Sequence, residues 1–265
     1  MIQTHLTNAD ARKQNLPGCD VFIYSHLIYI DDGIHRDIAV VNLNREAYKA
    51  FLDTIFIKHR EQLQKEAQET QNWLDQGGHQ SGLSFPFGQT KFYQIEFINY
   101  ENLKFACAFE LHLKARLLAQ NFIIHEIDSS INNDYKILAK EQRERPIKKS
   151  EIFELDGYRF DGKNNYLPGI KKSSIKFSLL TEKPNYFNEL GLPKNTIDVI
   201  NDYRELRNQI HFPGYVQDSK NLQKYLGDSL KTLIINFINM EIVIPSNKLA
   251  EKHNFNGLKM PEILS

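Results

Sequence analysis

Four side chains within one short segment have the types that phosphate chemistry needs. In Arg204-Glu-Leu-Arg207-Asn208-Gln-Ile-His211, two guanidiniums, an amide and an imidazole fall within eight residues. Arginine is permanently charged and offers a planar fork of donors to phosphate oxygens. Neutral histidine can take a proton from a hydroxyl and return it to a leaving oxygen near pH 7. Asparagine can hold a sugar hydroxyl or a non-bridging oxygen. The same residues also have ordinary structural uses. A histidine in the last turn of a helix is favoured by the helix dipole, and surface arginines lay their stems along apolar neighbours.

Aligning these groups requires a helix. Asn195 reads as its N-cap, with Asp198 completing a variant of the capping box, and Pro213-Gly214 ends it near His211. At about 100° per residue, Val199, Tyr203, Leu206 and Ile210 form the expected core stripe. Asp198, Asn201, Asp202, Glu205 and Gln209 take the solvent side. Arg204, Arg207, Asn208 and His211 form a third face whose first turns carry Ile197 and Ile200. A face that begins apolar and ends cationic is expected to border a cleft or a subunit interface.

A second helix is expected over about 94–120, where Ala and Leu dominate without Gly or Pro. Leu103, Ala106, Cys107, Leu113, Leu117 and Leu118 form its apolar arc, and Glu110 and Lys114 lie inside that arc. A glutamate buried there must find a partner. Lys114 at i+4 is one choice; an arginine from the 195–211 helix is the other.

The remaining elements are read from pattern. Val21–Tyr24 and Ile38–Val41, about the turn Asp31-Asp32-Gly33, predict a β-hairpin. Asn44 caps a predicted helix over 45–75 that buries Tyr48, Phe51, Leu52, Ile55, Phe56, His59 and Leu63; Gly77-Gly78 ends it and 77–88 is a loop. The basic run Lys140, Arg143, Arg145, Lys148 and Lys149 reads first as a solvated face. Ile152-Phe153 and Tyr158–Phe160 read as extended, and 174–180 and 186–190 as helical turns. A further helix over 219–242 carries Leu222, Leu226, Leu230, Leu233, Phe237 and Met240 on one stripe, followed by a peripheral tail after Pro245. His112 and His125 read as surface residues, and Trp73 as a packing anchor.

Composition bounds the partners. The chain has 265 residues, enough for one large or two small domains. Thirty-three basic residues balance thirty-three acidic ones, which excludes a global cationic field and leaves only a local patch for nucleic acid. Seventeen Phe and twelve Tyr exclude disorder throughout. Cys19 and Cys107 cannot build a disulfide framework. With no signal peptide and no apolar run approaching about 20 residues, a cytoplasmic protein with no membrane partner is expected. Phosphate-loop, dinucleotide-binding, zinc-protease and serine-hydrolase signatures are missing. No cofactor and no metal site are therefore expected.

The Arg204–His211 segment resembles the signature of the HEPN superfamily, an Arg followed at short spacing by a His, often with Asn beside an Arg. Arg204 leaves six residues before His211, within the family spacing. Arg207 leaves three, outside it, but supplies the Arg-Asn pair. Ala108–Phe122, with its Glu110 and its Leu-Lys114-Ala, resembles the first helix of such domains. The resemblance covers about 98–245. It implies an all-α, HEPN-like four-helix bundle, here over 96–245, and says nothing specific about the N-terminal region (1–95), whose role is unknown. With the helix and small hairpin read there from pattern, and a tail (246–265), a mainly α protein is expected. The resemblance also implies a homodimer whose motif helices face each other across a cleft, and in many members metal-independent RNA cleavage, often as toxins or antiviral effectors with an antitoxin or defence-system partner. Arg204, Arg207, Asn208 and His211 would be catalytic, with Glu110 and Lys114 in support. The toxin subgroup that is adenylylated carries a Tyr two residues after the His; here that position is Pro213 and the next Tyr is Tyr215. The alternative is a non-catalytic HEPN-like interaction or RNA-binding module: the nuclease needs Arg204 or Arg207 and His211 to point into a shared open cleft, whereas the module predicts that they are salt-bridged or capped by backbone.

Overall fold

The computed structural model describes residues 26–29, 33–55, 88–155, 169–209 and 228–263. The protein is mainly helical. After a 3₁₀ turn at His26–Tyr29, α1 runs over Ile34–Ile55 and α2 over Gly88–Ala119. Strand β1 (His125–Ile127), the short helices α3 (Asn133–Glu141) and α4 (Lys149–Phe153), and strand β2 (Ile170–Ser174) follow. Helices α5 (Phe177–Glu182), α6 (Pro184–Leu190) and α7 (Lys194–Gln209) lead to α8 (Asp228–Phe237), a π-helical turn (Ile238–Val243) and α9 (Ile244–Lys252). The strands pair antiparallel, His125 with Ser174 and Ile127 with Ile170, with an irregularity between.

Helices α1 and α2 lie along each other, and α7 packs on α2. An aromatic cluster joins these helices to α8: Phe51 stands 5.6 Å from Phe105 and 5.1 Å from Phe109, Phe105 is 5.1 Å from Tyr203, and Phe109 is 5.5 Å from Phe237. Most of these rings meet edge-on or tilted, arrangements worth about 0.5–1.5 kcal/mol each beyond area burial. The 95/96 boundary drawn from the sequence falls within α2.

Several expectations are corrected. Ile38–Val41 is not a strand; it lies in α1, fully buried. A continuous apolar run looks the same in a buried helix as in a buried strand. The small sheet forms instead from 125–127 and 170–174. Asn44 is not a cap but a buried mid-helix residue. Ile152-Phe153 is helical, and α7 starts at Lys194 with Thr196 and Ile197 N–H groups on the Pro193 carbonyl. Pro245 does not end a helix. The π turn before it loosens the backbone where proline has no N–H to give, and α9 continues to Lys252. The tail is not peripheral: Met260 and Ile263 are buried, and Asn247 and Asn239 each clamp the backbone N–H and C=O of one of them. Met240, expected on the buried stripe, is exposed. Val21–Tyr24, Asp31-Asp32, Trp73, the 56–75 part of the first predicted helix, Tyr158–Phe160 and Leu222–Leu226 lie outside the described residues, as does Cys19.

Candidate active site

Helix α7 turns an unexpected side to the protein. Ile197, Ile200 and Tyr203 are buried, while Val199, placed on the core stripe by the wheel, is 46% exposed. The contact face is therefore the one that carries Arg204 and Arg207 further along. A wheel ranks residues of one helix by type and cannot see that α2 and α5 approach from the Ile200 side.

Arg204 is enclosed. Its Nε donates to Asn201 at 3.0 Å, and Nη2 pairs with Glu182 of α5 at 2.5 Å and with Glu205 at 3.4 Å. Its side chain is 11% exposed. Arg207 is more open, with 32% of its side chain accessible. Its Nη1 donates to Glu110 Oε2 at 2.8 Å, and its guanidinium lies 5.8 Å over the Phe177 ring, a cation–π approach. Asn208 is exposed. His211 lies outside the described residues.

Glu110 is the hub. Its Oε1 accepts Lys114 Nζ at 2.5 Å while Oε2 holds Arg207, so both candidate partners are engaged at once. Lys114, with 8% of its side chain accessible, also donates to Ser174 Oγ at the end of β2, 2.9 Å away. Burial pushes the Glu110 carboxyl up, but the charge and hydrogen bond of Lys114, then those of Arg207, hold it below the ordinary glutamate range. Two cations share this carboxylate, so the trio keeps a net positive charge beside a partly open guanidinium. Cys107, one turn earlier on α2, has its thiol pushed up by burial and stays protonated at neutral pH.

Reasoning from sequence missed three groups here: Ser174, Phe177 and Glu182. No local signal could have found them, because each reaches the arginines or Lys114 only through packing of β2 and α5. It also misplaced two histidines. His112 and His125 are fully buried, not on the surface. A signal existed for His112, which continues the Phe105–Phe109 spacing into the core. Its Nδ1–H donates to Asn44 Oδ1 at 3.0 Å, and Asn44 Nδ2 donates to Ser246 Oγ at 2.9 Å. His112 Nε2 has no partner among the described residues. Burial, with Arg116 nearby, pushes the imidazole down to about 3. His125 Nδ1 lies 2.6 Å from the Tyr29 hydroxyl.

A second charged cluster centres on Asp37, whose carboxylate meets Arg36 at 2.7 Å, His253 at 2.8 Å and Lys252 at 3.0 Å, fastening α1 to the end of α9. Among the described residues no group of three or more His, Cys, Asp or Glu is placed to hold a metal ion. No described helix is long and apolar enough to cross a membrane. The chain matches no protein-family model, no curated protein and no solved structure.

Proposed function

We propose that the protein is a metal-independent RNA endonuclease of HEPN type. The observation that carries this is that Arg207 keeps 32% of its side chain accessible while one nitrogen is fixed by the Glu110–Arg207 ion pair. That pair joins two segments 97 residues apart, the same two on which the resemblance rests. The residual positive charge of the Glu110–Lys114–Arg207 trio suits a phosphate oxygen. Arg207 takes the role of the stabilising cation, because Arg204 is already enclosed by Glu182 and its own helix. Glu110 is a positioning residue that fixes the guanidinium.

In this mechanism the ribose 2′-OH attacks the adjacent phosphorus while His211 accepts its proton. Arg207 balances charge on the non-bridging oxygens. The P–O5′ bond breaks, the proton passes to O5′, and the product carries a 2′,3′-cyclic phosphate. Asn208 orients the strand. A homodimer would bring two such helices to one cleft, and a role as a toxin or antiviral effector with a neutralising partner follows from the same resemblance.

The second reading, a non-catalytic RNA-binding or interaction module, is favoured by a specific observation: both arginines are ion-paired within the chain. Labelled RNA incubated with purified protein in EDTA separates the two. Cleavage that disappears in His211→Ala with unchanged melting supports the nuclease; intact RNA with the wild type supports the binding module.

A further inference from the structure

Helix α5 has a second use. It carries Phe177 and Glu182 to the arginines, and Ser178 and Leu179 to an open pocket of about 560 Å³. The pocket lies among β1, β2, α3 and α5, and its size is within the about 300–1,000 Å³ usual for ligand sites. Four cations line it: Arg143, Lys171, Lys176 and Lys183. Two carboxylates oppose them, and both are engaged. Glu144 accepts Lys183 Nζ on both oxygens at 2.9 Å, and Glu126 accepts Ser173 Oγ at 2.8 Å. Arg143 and Lys176 are exposed and have no ion-pair partner among the described residues. The hydroxyls of Ser129 and Ser178 add neutral donors at the wall.

No aromatic ring is among the described residues of this lining, so the pocket has no platform on which a base could stack. A site that concentrates cations and hydroxyls without stacking suits phosphates and is indifferent to base identity.

We propose that this pocket holds the sugar–phosphate backbone of single-stranded RNA as it leaves the Arg207 site, giving grip without sequence preference. The proposal rests on RNA being the substrate. It also recasts Arg143, part of the run read from sequence as a solvated face, as a phosphate contact.

The test measures affinity for a short 2′-O-methyl oligouridylate, which has no attacking hydroxyl and stays intact. Wild type is compared with Arg143→Ala/Lys176→Ala and with the charge-keeping Arg143→Lys/Lys176→Arg, each at several salt concentrations. Both side chains are exposed, so melting should be unchanged. The alanine pair is expected to bind at least about tenfold more weakly, with a salt slope smaller by about 1.4, two phosphate contacts at about 0.7 each. The charge-keeping pair should bind like wild type. Equal affinity and slope for the alanine pair, or no binding by wild type, overturns the proposal. Cleavage of unmodified RNA in EDTA reports separately on the nuclease: binding without cutting leaves the pocket standing and removes the enzymatic reading.

Discussion

Replacing Glu110 by Gln should destabilise the protein through Lys114 more than through Arg207. Lys114 is 8% exposed; a glutamine oxygen at 110 and Ser174 Oγ can still accept its hydrogen bonds, but its charge is left with no carboxylate in contact. Removing one partner of a fully buried ion pair costs about 3–5 kcal/mol. Glu110 retains 21% exposure and Arg207 32%, so water screens part of the loss. About 2–3 kcal/mol remains, a fall in melting temperature of about 5–10 °C for a chain of this size. The pH dependence adds a sign. Glu110 titrates below the ordinary 4.5 when folded, so the folded state binds fewer protons in that window. Its contribution is complete above the unfolded value and disappears as pH falls through the folded one. Wild type and Glu110→Gln should therefore differ at pH 7 and converge in acid. Adding Lys114→Met removes the stranded charge and should recover about half the loss, measured by urea denaturation as a double-mutant cycle. A single variant within about 0.5 kcal/mol of wild type, or a double variant no more stable than Glu110→Gln, would refute the reasoning.

Other outcomes follow from the same geometry. The His112 imidazole is pushed down to about 3, so the folded state resists protonation between there and 6.5. Stability should fall as pH drops through that window, by about 2 kcal/mol at pH 5. His112→Gln should flatten this limb in urea midpoints taken at several pH values; an unchanged slope would count against it. Gly169 sits at φ +89, where a Cβ would lie 1.7 Å from Tyr135 Cε1. Gly169→Ala should cost at least about 2 kcal/mol by overpacking and left-handed strain together, read by thermal melting. In the nuclease assay Arg207→Ala should lower metal-free cleavage by about 10²–10³ at saturating RNA. Arg204→Ala should change turnover less than tenfold, because its guanidinium is held by Glu182; the reverse ranking would make Arg204 the cation.

Local chemistry was enough to determine the mainly helical character, α2 from about residue 94 to its end, α7 as far as Gln209, and the placing of Glu110 and Lys114 among buried apolar neighbours, although Leu103, expected on that arc, is exposed. Helical periodicity and the shortage of Gly and Pro act within a few residues of themselves, so they can be read from one segment. The same locality explains the failures. Ile38–Val41 is apolar on every side, and only the neighbours that cover it make it a helix rather than a strand. The Phe105–Phe109 spacing already pointed His112 towards the core, but the polar partners that make its burial tolerable, Asn44 and Ser246, come from two other helices. Which side of α7 meets the body, which arginine stays open, and which carboxylate each one finds were decided by tertiary structure alone. Charges 97 residues apart pair only after α2 and α7 have been brought together, and the energy that brings them together comes from rings such as Phe105 and Tyr203, not from the charges themselves.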